Sequence, residues 1–551
     1  MQSVYCKKSS VIGRVFHYDI LKRITVNEDQ IDKWLEQLES LDLIRTRSRH
    51  QYIEYVFKHA LTQEAVYNGL LKKERQKIHE LIGLVMEKRF HHRLPEFYET
   101  LAYHFKQGKL ANKAVEYLMN SAKKSFSRFA VGESHQYYKD AFELLSQNLT
   151  DKKLRDSQII DLLNEWGLVF IWRGAPAELI DIFRIYEEIA ESLEDEEKLG
   201  MFYSELGIAL CHREQFEDSY EYQYKSLKLG QKVKSLKVVG HACYRLAVVC
   251  ANLGRLDEAV KYGEQAFHLS EDPNAELPFT RSAWGLINAY WYRGDIKNLS
   301  ELGEKLLRQG RKISDVRHIA MAEMALGLSL FCRGNYESAI RNLKSALKTS
   351  IDPLLIQFST IFLGYVYIPD KQYKEALNVL EKVMRFSEMH SIEFLGTPSL
   401  AFRGCALAAS GSLDKGLKFI GKAMAVWEKT NRRYGIAVGH IMYGQLYLRI
   451  VEGEGPKSIA FIIKNIRSIV RLVPGAARKA EEHLSMATKI SGEIGARVLL
   501  GQAHLGLGCL YRAKKRTEKA RESILEAISI FEKIEANGYL KQSEEVLNSL
   551  I

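Results

Sequence analysis

Small side chains recur in this 551-residue chain in triplets at offsets of 12 and 19. They are Gly207, Ser219 and Ser226; Ala247, Ala259 and Ala266; Gly327, Ala339 and Ala346; Gly404, Gly416 and Ala423; and Gly508, Ala520 and Ala527. Gly364 and Ala376 form a partial set in which Val383 takes the last place. Between the first and second members lies a turn, as in LGRLDEA (253–259), RGNYESA (333–339) and SGSLDKG (410–416). Such spacing predicts a hairpin of two helices, A and B. The first two small residues let A approach B closely, and the third lies two turns along B, where the next hairpin packs. First members at 207, 247, 327, 364, 404 and, less completely, 444 set a period of 37 to 40 residues, with one irregular unit around Trp284 and Tyr290. A repeat of this length cannot bury its apolar face alone, so the hairpins must stack into a solenoid.

The prolines agree. Of the nine, Pro176, Pro273, Pro278, Pro353, Pro369, Pro398, Pro456 and Pro474 are expected between helices and Pro95 near a helix start. The residues resemble the tetratricopeptide repeat from about 95 to 551, although its usual spacing is shorter. The resemblance implies an all-α, tetratricopeptide-like solenoid and does not name a ligand.

One stretch imitates a nucleotide site. GLKFIGKA (416–423) has the spacing of a phosphate-binding loop except at its last position, where Ala423 lacks the magnesium-ligating hydroxyl. Gly404, Gly416 and Ala423 are already the packing triplet of one repeat, which puts the stretch on helix B with no strand before it. GEGPKS (453–458) is a weaker imitation, with wrongly spaced glycines and Pro456 in the way. Neither is expected to bind nucleotide.

Ahead of the repeats, EDQIDKWLEQLESLDLI (28–44) places Ile31, Trp34, Leu35, Leu38 and Leu41 on one helical face. HQYIEYVFKHALTQEAVYNGLLKKERQKIH (50–79) alternates like a strand and then turns helical. The order is that of a winged-helix-like module, assigned to residues 1–94, with the solenoid over 95–551. Its candidate recognition helix carries Glu28, Asp29, Asp32, Glu36 and Glu39 against Lys33 alone, which opposes phosphate, so no nucleic acid is expected as a partner.

SSVIGRVFHYDIL (9–21), LDLI (41–44), YVFKHALTQEAVYNGLL (55–71) and RQKIHELI (75–82) resemble the module that follows the ATPase core of bacterial STAND-type signal-transduction ATPases. The likeness is greatest to multidomain proteins with a class III adenylate/guanylate cyclase domain, a P-loop ATPase and repeats. VPGAARKAEEHLSMATKISGEIGARVLLGQAHLGLG (473–508) resembles their last repeats. No Walker A sequence, acidic metal-binding strand or cyclase aspartate pair can be matched, so the resemblance carries over no catalytic residue. It implies the sensor and scaffold half of such a regulator, with a winged module that is less stable than the repeats or is covered by a partner or a second copy.

Other chemistry is sparse. The seven cysteines (6, 211, 243, 250, 332, 405, 509) form no C-x-x-C pair and read as reduced core residues. His79-Glu80 lacks a second histidine at ligand spacing, and the adjacent His91-His92 cannot share a helical face, so no metal, cofactor or catalytic residue is assigned. No apolar run approaches a membrane span and Met1 to Phe16 lacks a signal-peptide core, so the expected compartment is the cytoplasm. The formal charge of +11 favours acidic partners only mildly.

Residues 456–480 lengthen one repeat by 24 residues, because from Gly444 the matching small positions are Ala480 and Ala487. Ile459, Ile462, Ile463, Ile466, Val470 and Val473 form an apolar face and Lys464, Arg467 and Arg471 the opposite one. An extra basic amphipathic helix at about 456–474, packed on the solenoid, accounts for the apolar face. Contact of Lys464, Arg467 and Arg471 with an anionic partner or membrane surface is the second reading. The expectation for the whole chain is a non-enzymatic protein-interaction scaffold or sensor, its partner protein or peptide held on the concave wall of A helices. The alternative is the regulatory portion of a switch controlling a separately encoded STAND ATPase or cyclase.

Overall fold

The computed structural model describes residues 2–25, 30–49, 52–148, 151–453, 470 and 472–550. These form two compact units, Met1–Arg173 and Gly174–Ile551.

The first unit opens with α1 (Gln2–Ile12), β1 (Val15–His17), α2 (Tyr18–Arg23), α3 (Ile31–Ser40), β2 (Ile44–Arg49) and β3 (Tyr52–Phe57). The strands make an antiparallel sheet of order β1-β3-β2, in register through Val15 opposite Val56 and Ile44 opposite Phe57. Ile31, Trp34, Leu35 and Leu38 of α3 are buried, whereas Leu41, assigned to the same face, lies beyond the helix end and is exposed. The α3 carboxylates serve the module itself: Asp32 accepts from the Tyr18 hydroxyl at 2.7 Å, and Glu39 accepts from the Thr46 backbone N–H at 2.7 Å.

α4 (Ala60–Asn68) and α5 (Lys72–Arg89) lead into α6 (Tyr98–Gln107), α7 (Ala111–Ser127), α8 (Val131–Asn148) and α9 (Lys152–Arg173). The boundary placed at residue 94 in the sequence falls inside this unit. There α5 and α6 cross so closely that a Cβ on Gly83 would lie 2.6 Å from the Phe105 ring and one on Gly108 2.8 Å from the Glu80 nitrogen. Glu87 of α5 also accepts from Lys113 and from the Tyr117 hydroxyl, both at 2.7 Å.

The second unit begins with α10 (Pro176–Ser192) and continues as hairpins of A and B helices: α11 (Glu196–His212) with α12 (Phe216–Lys232), α13 (Leu236–Leu253) with α14 (Leu256–Leu269), and α15 (Phe279–Arg293) with α16 (Ile296–Ile313). Next come α17 (Val316–Cys332) with α18 (Tyr336–Thr349), α19 (Pro353–Tyr367) with α20 (Tyr373–His390), and α21 (Glu393–Ala409) with α22 (Leu413–Lys429). The last are α23 (Arg433–Val451) with α24 (Ala476–Ile494), α25 (Arg497–Ala513) with α26 (Thr517–Lys533), and α27 (Asn537–Asn548). α13 is long and apolar enough to cross a membrane by length and composition, contrary to the sequence expectation. It is instead the most enclosed helix of the stack, with 83% of its residues buried.

The triplets sit at the helix crossings as the spacing requires. A Cβ on Gly404 would stand 2.8 Å from the Gly416 carbonyl oxygen, and one on Gly416 2.5 Å from that of Gly404. In the first full hairpin the Ser219 hydroxyl donates to the Gly207 carbonyl at 2.6 Å. Ala480 and Ala487 of α24 are fully buried, and Gly444 of α23 packs on Leu484, so the lengthened repeat keeps its small positions. The irregular unit has the same period but reversed sizes. Ile287, Leu299 and Leu306 stand where the complete triplets have glycine, alanine or serine, and α15 and α16 consequently splay apart.

Pro176 and Pro353 open helices, and Pro273 and Pro474 lie in short 3-10 turns. Pro398 is a correction: it lies inside α21, where the pyrrolidine forfeits a single i to i−4 bond early in the helix. Pro456 lies outside the described residues.

Candidate functional site on the A-helix wall

The A helices of the second unit form the wall expected to hold a partner, and the stack coils until the turns that end its early A helices meet the starts of its late ones. The contacts run in order. A Cβ on Gly174 would lie 2.8 Å from His390 Cα; Glu214 accepts from Arg432 at 2.7 Å and from the Thr397 hydroxyl at 3.2 Å; and Gly254 packs on Ile494 and Arg433. Asp295 then accepts from Arg497 at 2.7 Å, and Gly334 meets Gly538, where an added Cβ would lie 2.7 Å from Cα. Tyr292 stacks on Tyr434 with ring centroids 4.0 Å apart inside this seam.

Beneath the seam lies a charged cluster. Arg245, in the middle of α13, is 0% exposed. Its guanidinium donates to Glu205 at 2.5 Å, to the Ser204 hydroxyl at 2.7 Å and to the Tyr244 hydroxyl at 2.9 Å. Ser204 passes the chain on to Gln223, donating at 3.0 Å and receiving the Gln223 amide on its carbonyl at 2.7 Å. Burial works against the Arg245 charge, but the Glu205 carboxylate outweighs it and the group is held charged. Burial, and then the Arg245 charge, push His212 down to about 3 and His241 well below its ordinary value, so both imidazoles are neutral. Glu205 Oε2, His212 Nδ1 and His241 Nδ1 are buried without a hydrogen-bond partner among the described residues. Glu205 Oε2 beside the guanidinium and two neutral imidazoles that feel its charge make this cluster the candidate site on the wall.

Sequence reasoning missed this cluster, although single charges within apolar runs, FYSELGIAL (202–210) and CYRLAVVC (243–250), were the available signal. The residues it did single out lie elsewhere. Gly416 to Ala423 are on α22, as expected, and the stretch is helical throughout. His79 is buried with its Nδ1 2.9 Å from that of His104 and its Nε2 3.1 Å from the Tyr67 hydroxyl. His91 and His92 lie side by side in the turn after α5, their rings tilted and their centroids 3.6 Å apart. Among the described residues no three His, Cys, Asp or Glu side chains group as a metal-ligand set. Lys464, Arg467 and Arg471, together with most of the helix expected at 456–474, lie outside the described residues; Val470 next to them is 68% exposed and Leu472 is buried. All seven cysteines are free thiols, and burial pushes Cys211, Cys243, Cys332 and Cys405 up to about 12.

Fold and wall together define an all-α helical-hairpin repeat protein with a small sheet near its N-terminus. The tetratricopeptide repeat model matches residues 240–273 and 501–534, the α13–α14 and α25–α26 hairpins. Over 95 residues the chain is 32% identical to an uncharacterized protein of Rhizobium meliloti (strain 1021), covering 17% of this chain and 9% of that one. Among solved structures it is similar to a STAND protein with a tetratricopeptide repeat sensor from Pyrococcus horikoshii, with a TM-score of 0.39 and 15% identity over 90% of this chain and 65% of the other. It is also similar to a Rap protein complexed with competence and sporulation factor, with a TM-score of 0.43 and 14% identity over 67% of this chain and 99% of the other. The chain thus spans less than a tenth of the curated relative and just under two thirds of the archaeal STAND protein.

Proposed function

We propose that this chain is a non-enzymatic interaction scaffold and sensor that receives a protein or peptide signal on its A-helix wall. The observation that carries the reading is the set of buried orphan atoms, Glu205 Oε2, His212 Nδ1 and His241 Nδ1, around the fully buried Arg245. A buried carboxylate–guanidinium pair adds little stability compared with apolar packing, and unsatisfied neighbours make it worse. A ligand offering hydrogen-bond donors to the carboxylate and imidazoles would relieve that cost. Selection of a displayed peptide library on the full chain tests this. Enriched peptides should lose binding when the selection target carries Glu205→Gln, with helix content unchanged. Peptides that bind the variant equally well, or no enrichment at all, would overturn it.

The finer reading rests on the stretches at 9–21, 41–44, 55–71, 75–82 and 473–508. Their resemblance supports a winged-helix-like module ahead of the repeats and a role as the regulatory portion of a switch over a STAND ATPase or class III cyclase. Purified chain added to such an ATPase or cyclase encoded beside it should change the turnover of that enzyme; an unchanged rate at saturating chain argues against the switch.

A further inference from the structure

The splayed unit leaves a cleft lined by α14, α15 and α16. Because Ile287, Leu299 and Leu306 hold α15 away from α16, a cavity of about 310 Å³ opens between α14 and α16, with α15 as its floor. That volume is at the lower end of small-ligand sites and suits a single inserted side chain with its neighbour. Its apolar and aromatic lining is Phe267, Leu286, Tyr290 and Leu302. The rim is acidic, and its three carboxylates are in different states. Glu271 is matched by Lys305 at 2.8 Å, and the same ammonium lies over the Phe267 ring at 4.7 Å. Glu264 accepts the Tyr290 hydroxyl at 3.0 Å and has no ion pair among the described residues. Glu301, across the cleft, has no hydrogen bond or ion pair among the described residues, and neither does Asn298 beside it. Two carboxylates with no ion pair among the described residues therefore line the same cleft, on a chain whose formal charge is +11.

We propose that this cleft binds a basic side chain, an arginine with an adjacent apolar residue, from a partner protein. The guanidinium would lie between Glu264 and Glu301, donate in its planar fork and rest on the Tyr290 face, while the methylene stem covers Leu286 and Leu302. The Lys305 ammonium over Phe267 is an internal example of a cation on this lining. This site is separate from the A-helix wall and stands whether or not that wall binds a peptide.

Saturation-transfer NMR on the full chain suits the millimolar affinity expected of a single side chain. The probes are N-acetyl-leucyl-arginine amide and its citrulline counterpart, which keeps shape and loses charge. The arginine side-chain methylenes should be saturated, and the citrulline signal should be several-fold weaker. Glu301→Lys and Glu264→Gln should each reduce the arginine signal at least several-fold; both positions are exposed, and far-ultraviolet circular dichroism checks that the helices persist. Equal signals from the two probes, or no loss in either variant, would overturn the proposal. Loss of the arginine signal when calcium chloride replaces sodium chloride at equal ionic strength would reassign the cleft to a metal ion.

Discussion

At Gly416 the difference between a hydrogen and a methyl decides whether two helices can meet. The nearest atoms to an added Cβ are the Gly404 carbonyl oxygen at 2.5 Å and Ala408 Cβ at 2.6 Å, so backbone would have to move. Gly416→Leu should therefore lower stability by about 1 to 3 kcal/mol, measured as the urea midpoint. Burial dominates at the histidines too. His104 is pushed down to about 3 and His79 to about 4, chiefly by burial, and each is neutral in the fold. The unfolded chain takes up these protons near pH 6.5, so their contribution is complete above that value and is lost as pH falls toward the folded values. The loss is about 1.4 kcal/mol per pH unit for each such histidine. His104→Gln should flatten the decline in urea midpoint between pH 7 and pH 5; an unchanged slope would show that His104 is not titrating this way.

At the scale of elements, one repeat position has opposite requirements in different hairpins. Ala346 is a closely packed small site, whereas its counterpart Leu306 is fully buried in the splayed unit, and both are 0% exposed. Leu306→Ala should cost about 2 to 5 kcal/mol by leaving a cavity, and Ala346→Leu should cost about 1 to 3 kcal/mol by overpacking. Thermal unfolding of the two variants reads both, and an indifferent response in either would show that the repeat alignment is misplaced there. The same contrast explains what was legible in the sequence. Close crossings need small residues at fixed spacing, so Gly404, Gly416 and Ala423 announced their helices, and Gly444 with Ala480 and Ala487 carried the pattern across a 24-residue lengthening. The splayed unit was legible only as irregular, because large residues at crossings look like any apolar helix. The cleft it opens left no mark. Arg245 and Glu205 are 40 residues apart, and nothing local to either shows that each is the other's counter-charge.

Across the second unit, the seam joins residues far apart in the chain. Glu214 and Arg432 are separated by 218 positions, and Asp295 and Arg497 by 202. Both side chains of the first pair are buried, so Arg432→Ala takes the paired cation from Glu214 and should cost about 3 to 5 kcal/mol, while replacing both by apolar residues should cost less. A double-mutant cycle on chemical denaturation measures the difference. Gly538→Val, which cannot fit against Gly334, should raise amide exchange in α17 and α27 together.

Ordinary solenoids grow or shrink by whole repeats with little consequence, because each contacts only its neighbours. Here the turns at Gly174, Glu214, Gly254, Gly294 and Gly334 are paired in order with positions from His390 to Gly538, like teeth engaging a rack. Removing or adding one hairpin between the two rows would shift every tooth by one place at once. The number of repeats is thereby counted by the fold itself, and the lengthened hairpin between Arg433 and Ile494, both of which touch Gly254, is where extra sequence enters without losing the count.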